Sequence, residues 1–313
     1  MALDLLFVAL GLVLLVFAGD ALVKGAVGLA LRLGIPALIV GLTVVAFGTS
    51  APEMIVSVKA AIAGRAGIAL GNVVGSNIAN ILLILGLPAL IATIHSSLID
   101  TRRSYLVMLA TAALFIGLCL VGPITWWHAL ILLAGLALVL WDNLRSAQAH
   151  RALNREPELE GADAWMPFRK IAAFILAGLA GLAAGAELLV EGAVNIARLI
   201  GVSEAVIGLT LVAVGTSLPE LVTSVMAAFR KQADVALGNV IGSNIFNLLA
   251  IIGVAGLFGD MAVPESMLRF DLWFMLAMSL LLAPFLLLKR DITRGVGAGL
   301  VATYVGYTLW LVL

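Results

Sequence analysis

The chain has 313 residues, 63% of them hydrophobic and 12% charged, with a formal net charge of zero. A soluble domain is about half apolar and a quarter charged, so water is not the main solvent of this fold. Balanced charge without acidic or basic runs excludes a nucleic-acid-binding surface and a disordered acidic tail, and a lone cysteine, Cys119, excludes an internal disulfide and a cysteine metal cluster.

In chain order, ten stretches are apolar over about the 20 residues that a helix needs to cross a bilayer. They cover 3–23, 36–62, 68–94, 104–121, 124–142, 170–198, 204–229, 234–258, 271–288 and 293–313. The first opens Met1-Ala2-Leu3-Asp4, with an acid where a signal peptide carries basic residues and no small-residue cleavage site beyond, so it reads as a retained helix. The polar interval from Asp142 to Lys170 reads as a linker, too short for a folded regulatory domain. The expected organisation is a first five-helix repeat over 1–143, a cytoplasmic linker over 144–169 and a second five-helix repeat over 170–313. Lysine and arginine stay on the cytoplasmic side of short loops. Ten spans gather 14 of the 18 basic residues on one side and leave Lys59, Arg65, Arg198 and Arg269 on the other, which places both termini away from the cytoplasm. Trp126, Trp127, Trp141, Trp165, Trp273 and Trp310 fall near the proposed interfaces and read as an anchor belt.

The sequence repeats itself. GLTVVAFGTSAPE at 41–53 recurs as GLTLVAVGTSLPE at 208–220, and GNVVGSNIAN at 71–80 recurs as GNVIGSNIFN at 238–247. Both pairs share an offset of 167, and 41–86 aligns with 208–253 without a gap at 28 identities in 46 positions. That offset spans five crossings, an odd number, so the second copy enters the membrane from the opposite face. Inverted repeats of this kind characterise alternating-access transporters whose site lies at the midplane between the halves. The fold expected is therefore all-α and polytopic, with ten transmembrane helices in two inverted five-helix repeats and broken helices at the midplane.

Glu53 and Glu220 lie deep inside apolar segments, where a charge costs at least about 2.5–3.5 kcal/mol on insertion scales. They read either as packing carboxylates held by hydrogen bonds or as cation ligands, and no intramembrane lysine or arginine offers itself as counter-charge. Pro52 and Pro219 lack an amide hydrogen and push on the carbonyl four residues back, which should release oxygens near Gly48 and Gly215. In hydrocarbon such backbone is tolerated where it lines a cavity or meets an ion. Ser50 stands three residues before Glu53, and Ser217 three before Glu220, a spacing that puts hydroxyl and carboxylate on one helix face. Asn72, Ser76 and Asn80, with Asn239, Ser243 and Asn247, recur every fourth residue along a stripe. A small-residue packing seam is one reading of that stripe. The other has Ser76, Asn80, Ser243 and Asn247 completing an oxygen cage while Asn72, Asn77, Asn239 and Asn244 cap or bridge broken helix ends. Oxygen-only ligands, without histidine, cysteine or methionine, suit hard cations such as Ca²⁺, Na⁺ or Mg²⁺ over zinc, copper or nickel. Asp20 with Lys24, and Glu187 with Glu191, read as local or snorkelling charges near helix ends.

At GTSxPE and GNVxGSNxxN the chain resembles the calcium/cation antiporter superfamily, and within it the prokaryotic sodium/calcium exchangers. The resemblance implies ion contacts from the carbonyls of Ala46, Thr49, Ala213 and Thr216 and from the side chains of Ser50, Glu53, Ser76, Asn80, Ser217, Glu220, Ser243 and Asn247. Some members carry aspartate at the place of Asn247, including the potassium-dependent exchangers; an amide there resembles the potassium-independent branch. The function implied is secondary active sodium/calcium antiport, without cofactor or enzymatic chemistry, Ca²⁺ and Na⁺ being cargo. A proton/calcium antiporter, a passive cation channel and an intramembrane enzyme are the rivals, the last lacking HExxH and GxSxG. The expected surroundings are a lipid bilayer, that of a prokaryotic inner membrane, with small inorganic cations and no nucleic acid; the sequence sets no oligomeric state.

Overall fold

The computed structural model describes residues 1–152, 166–201 and 213–312, and every regular element among them is a helix. Helix α1 (Ala2–Leu33) continues past the expected end at 23, because no proline interrupts it before Gly34. That glycine closes it at φ 64°, a left-handed conformation in which a Cβ is strained, and returns its amide to Leu31 O at 3.2 Å. Next come α2 (Ala37–Val40), a π-helical turn over Gly41–Val45, α3 (Ala46–Thr49) and α4 (Ala51–Ile62), which together make one span bent by 47° at Ser50. Helix α5 (Ala66–Ala79) passes into a π-helical turn over Asn80–Ile84 and then α6 (Gly86–Ile91). Helices α7 (Arg102–Val121), α8 (Trp126–Ala152) and α9 (Phe168–Leu199) are long and regular.

The second copy follows the first in register. Helices α10 (Ala213–Thr216), α11 (Leu218–Phe229) and α12 (Ala233–Phe246), with a π-helical turn over Asn247–Ile251, stand 167 residues after α3, α4, α5 and the turn at Asn80. Then come α13 (Ile252–Ala255), a π-helical turn over Met267–Asp271, α14 (Leu272–Leu281), α15 (Ala283–Leu286) and the 19-residue α16 (Arg294–Val312). Among the described residues seven helices are long and apolar enough to cross a bilayer, and the bent α2–α4 segment adds an eighth. The expected stretch 204–229 falls partly on residues outside the described ones, as does Trp165.

A second boundary differs from expectation as that of α1 does. Helix α8 runs on to Ala152, into the interval read as linker, since Asp142–Ala152 contains alanine, leucine, glutamine and arginine and neither glycine nor proline. Hydropathy marks where the apolar environment ends, whereas backbone propensity carries the helix further. Arg103 of α7 pairs with Asp142 on this extension and donates to Ser146 Oγ at 3.0 Å.

Helices α1 and α9 lie antiparallel, Gly178 facing Leu22 and Gly192 facing Asp4. A Cβ on Gly178 would stand 2.8 Å from the Leu22 amide nitrogen, so glycine is what lets the two backbones meet. Residues Val235–Gly253 are buried without interruption, the longest such run among the described residues. Apolar side chains such as Phe17, Leu138 and Leu176 are 67–70% exposed around the outside, an apolar surface suited to lipid and not to water.

Candidate cation site

Each glutamate is placed by a broken helix. Ser50 ends the first segment at φ −80°, ψ 6°, and α4 restarts at Ala51 with Pro52 in its first turn, where a missing N–H costs nothing. Glu53 therefore sits in the first turn of a half-helix, whose positive end favours a carboxylate. Ser217, Pro219 and Glu220 repeat this arrangement at the start of α11. Glu53 and Glu220 are 1% and 2% exposed, and among the described residues no lysine, arginine or histidine pairs with either.

The hydroxyls act across the halves. Ser50 Oγ donates to Glu220 Oε1 at 2.9 Å, and Ser217 Oγ donates to Glu53 Oε1 at 3.0 Å. The hydroxyl and carboxylate of each half thus meet in one cluster, but each serine bonds the glutamate of the other half and not the one three residues on. Ser76 Oγ lies 3.3 Å from Ser217 Oγ, which draws α5 into the same cluster. The Ala46 carbonyl accepts from the Ser50 amide at 3.1 Å and from Thr49 Oγ1 at 3.4 Å. Ala213 begins α10 and Thr216 ends it, which sets their backbones at the position equivalent to Ala46 and Thr49.

Asn72 and Asn239 hold the glutamate-bearing turns. Asn72 Nδ2 donates to Glu53 O at 3.3 Å and Ser57 Oγ at 2.9 Å; Asn239 Nδ2 donates to Glu220 O at 3.1 Å and Ser224 Oγ at 3.0 Å. Asn239 Oδ1 also accepts from Thr49 Oγ1 at 3.2 Å, joining the halves. Asn77 Nδ2 donates to Asn244 O at 3.3 Å and Asn77 Oδ1 accepts from Asn247 Nδ2 at 3.0 Å, whereas Asn244 Nδ2 donates to Val240 O at 3.0 Å on its own helix. Ser57 and Ser224 were not singled out from the sequence, although each stands four residues after its glutamate, the spacing of neighbours on one helix face.

What remains unmatched defines the chemistry. Glu53 Oε2, Glu220 Oε2, Asn80 Oδ1, Asn247 Oδ1 and Ser243 Oγ are buried without a partner among the described residues. A buried polar atom left unmet costs about 1–3 kcal/mol, and these five are oxygens able to ligate a cation. Asn80 and Asn247 each open a π-helical turn, a distortion that recurs at functional sites. Among the described residues no three His, Cys, Asp or Glu side chains converge, so two carboxylates and neutral oxygens are the donor set. That set fits a hard cation. An apolar cavity of about 740 Å³ abuts the cluster, lined in part by Phe47, Thr49, Pro52, Leu179, Pro219 and Phe246.

A family model described as "Sodium/calcium exchanger protein" matches residues 3–143 and 170–313. The chain belongs to the sodium/calcium exchanger family. It is 38% identical over 310 residues to the "Putative antiporter CaxA" of Alkalimonas amylolytica, covering 96% of each chain. It is 35% identical to "Sodium/calcium exchanger MaX1" of Methanosarcina acetivorans, covering 98% of each. In three dimensions it matches a structure of the sodium-calcium exchanger NCX_Mj soaked with Na⁺ and Sr²⁺, with a TM-score of 0.83 at 33% identity over 97% of this chain and 96% of that one.

Proposed function

We propose that this chain exchanges Na⁺ for Ca²⁺ across a membrane at a single site shared between its halves. One observation carries the reading: two buried carboxylates at equivalent positions, each hydrogen-bonded by the other half's serine, face unpartnered oxygens and no cationic side chain. Two negative charges are balanced by one Ca²⁺ or shared among Na⁺ ions, and Ca²⁺ accepts six to eight irregular oxygens whereas Mg²⁺ demands a small octahedron. Glu53, Glu220, Asn80, Asn247 and Ser243 supply ligands through their unmatched oxygens, Ser50, Ser217 and Ser76 through hydroxyls already in the cluster, and Ala46, Thr49, Ala213 and Thr216 through carbonyls. Because the same oxygens serve both ions, binding of one displaces the other. Left without a cation, the paired carboxylates repel, which opposes occlusion and couples the two fluxes.

The antiparallel packing of α1 and α9 and the recurrence of elements at one offset support two inverted five-helix repeats of ten spans, 1–143 and 170–313, joined by a cytoplasmic linker. Similarity to an inner membrane protein of Escherichia coli, 36% identical, supports a prokaryotic inner membrane, and the segregation of basic residues supports termini on the non-cytoplasmic side. Sodium-loaded proteoliposomes should take up radiolabelled calcium, and Glu53→Gln or Glu220→Gln should abolish that uptake. Sodium-driven uptake persisting in either variant removes the site assignment; uptake driven by a pH gradient alone replaces Na⁺ by H⁺ as the coupling ion.

A further inference from the structure

The two halves share their residues, but their hydrogen bonds are not symmetric. Asn247 Nδ2 donates to Asn77 Oδ1 at 3.0 Å; the equivalent bond, Asn80 Nδ2 to Asn244 Oδ1, is not made, and both of those atoms are buried without a partner among the described residues. Ser76 meets Ser217 at 3.3 Å; the equivalent pair is Ser243 with Ser50, and Ser243 Oγ has no partner. Every atom that the missing bonds need is therefore present and unmatched, apart from the Ser50 hydroxyl, which serves Glu220.

The difference originates in two side chains. Asn77 reaches across to the other half and donates to Asn244 O at 3.3 Å, while Asn244 turns back onto its own helix and donates to Val240 O at 3.0 Å. Held by Asn77, the Asn247 amide has its nitrogen engaged and its oxygen free. Asn80 has neither atom engaged, and a cation satisfies its oxygen but not its Nδ2–H, which requires an acceptor. Asn244 Oδ1 is the unmatched acceptor at the equivalent place.

We propose that Asn77 and Asn244 are a pair of positioning residues that act in turn. In the state described here Asn77 orients Asn247 toward the cation. In the opposite state Asn244 swings from Val240 O to Asn80 and orients that amide, while Asn77 folds back onto Val73 O and Ser243 meets Ser50. The two arrangements contain the same bonds between the same residue types, so neither is intrinsically favoured, and the exchange of one for the other reports which way the site faces. This inference rests on the exchange reading above.

The test compares apparent KM for Ca²⁺ in right-side-out and inside-out membrane vesicles, in variants that retain sodium-driven exchange. Asn77→Ala removes the bonds to Asn244 O and Asn247 in the present state but only the bond to Val73 O in the opposite one. Asn244→Ala removes only the bond to Val240 O in the present state but two in the opposite one, so each variant biases the pair of states by a net bond, in opposite senses. The ratio of the two KM values should therefore move about 2- to 10-fold in opposite directions, the worth of one buried hydrogen bond. The double variant should restore the ratio at reduced turnover. Asn77→Ser and Asn244→Ser, smaller changes that also remove the amide, serve if an alanine variant does not fold. Shifts in the same direction, or lowered turnover with an unchanged ratio, overturn the proposal while leaving exchange itself, tested through Glu53 and Glu220, intact.

Discussion

Substitution of Gly242 by alanine probes how closely the site is built. A Cβ there would stand 2.6 Å from Leu42 O, 2.6 Å from Ala46 Cβ and 2.8 Å from Leu42 Cα. Two of these contacts are backbone and cannot rotate away, so opening 2.6 Å to the 3.4 Å of ordinary contact moves one helix by 3.4 − 2.6 = 0.8 Å. Overpacking of this kind costs about 1–3 kcal/mol, which a folded protein survives. The displaced helix carries Ser243 and leads into Asn247, and its neighbour leads to Ala46 and Ser50, so both sides of the site shift. Misplacing positioned groups by about 1 Å costs on the order of 10²-fold in rate. Gly242→Ala should therefore purify as a monodisperse protein and exchange calcium for sodium in proteoliposomes 10- to 100-fold more slowly, by the same reasoning. Gly135→Ala is the control, since its Cβ would meet only the flexible tips of Leu249 and Leu114, at 3.4 Å and beyond. Wild-type exchange by folded Gly242→Ala, or an equal loss in Gly135→Ala, would refute the argument from close approach.

Asn239 makes three hydrogen bonds and is fully buried, so Asn239→Ala removes its bonds to Glu220 O, Ser224 Oγ and Thr49 Oγ1, the last keeping its bond to Ala46 O, and should cost about 3 kcal/mol of stability. Half-buried Asn72 should cost less on the same change, and the order of the two melting temperatures in detergent checks this. Outside the membrane-spanning segments, Asp291 accepts the Ser97 amide at 3.1 Å and pairs with His95 Nδ1 at 2.8 Å, which together hold its carboxyl below the ordinary 3.8. A depressed carboxyl pKa stabilises the fold above the unfolded value and loses that contribution as pH falls through the folded one. Asp291→Asn should accordingly lower the melting temperature at neutral pH, with the gap to wild type closing below pH 3.8; a gap independent of pH contradicts the assignment.

Much of the site is legible in the sequence because a bilayer simplifies the problem. Two carboxylates in apolar segments are conspicuous where every charge is expensive, and duplication at a constant offset doubles each signal. Pro52 and Pro219 announce the breaks, and the four-residue stripe of Asn72, Ser76 and Asn80 holds because α5 is a regular helix up to Ala79. Helix ends are less legible: α1 and α8 outrun their apolar stretches because backbone propensity does not stop where hydropathy does.

Pairing across the halves was decided by the tertiary structure alone. Local spacing places Ser50 and Glu53 on one face, and only folding hands Ser50 to Glu220 and Ser217 to Glu53. Identical residues likewise read alike along the chain, and only their packing makes Asn77 reach across while Asn244 turns back. Composition and periodicity constrain what is near in sequence. Which oxygen completes which partner depends on contacts between residues about 170 positions apart, and these exist only once the two copies have packed together.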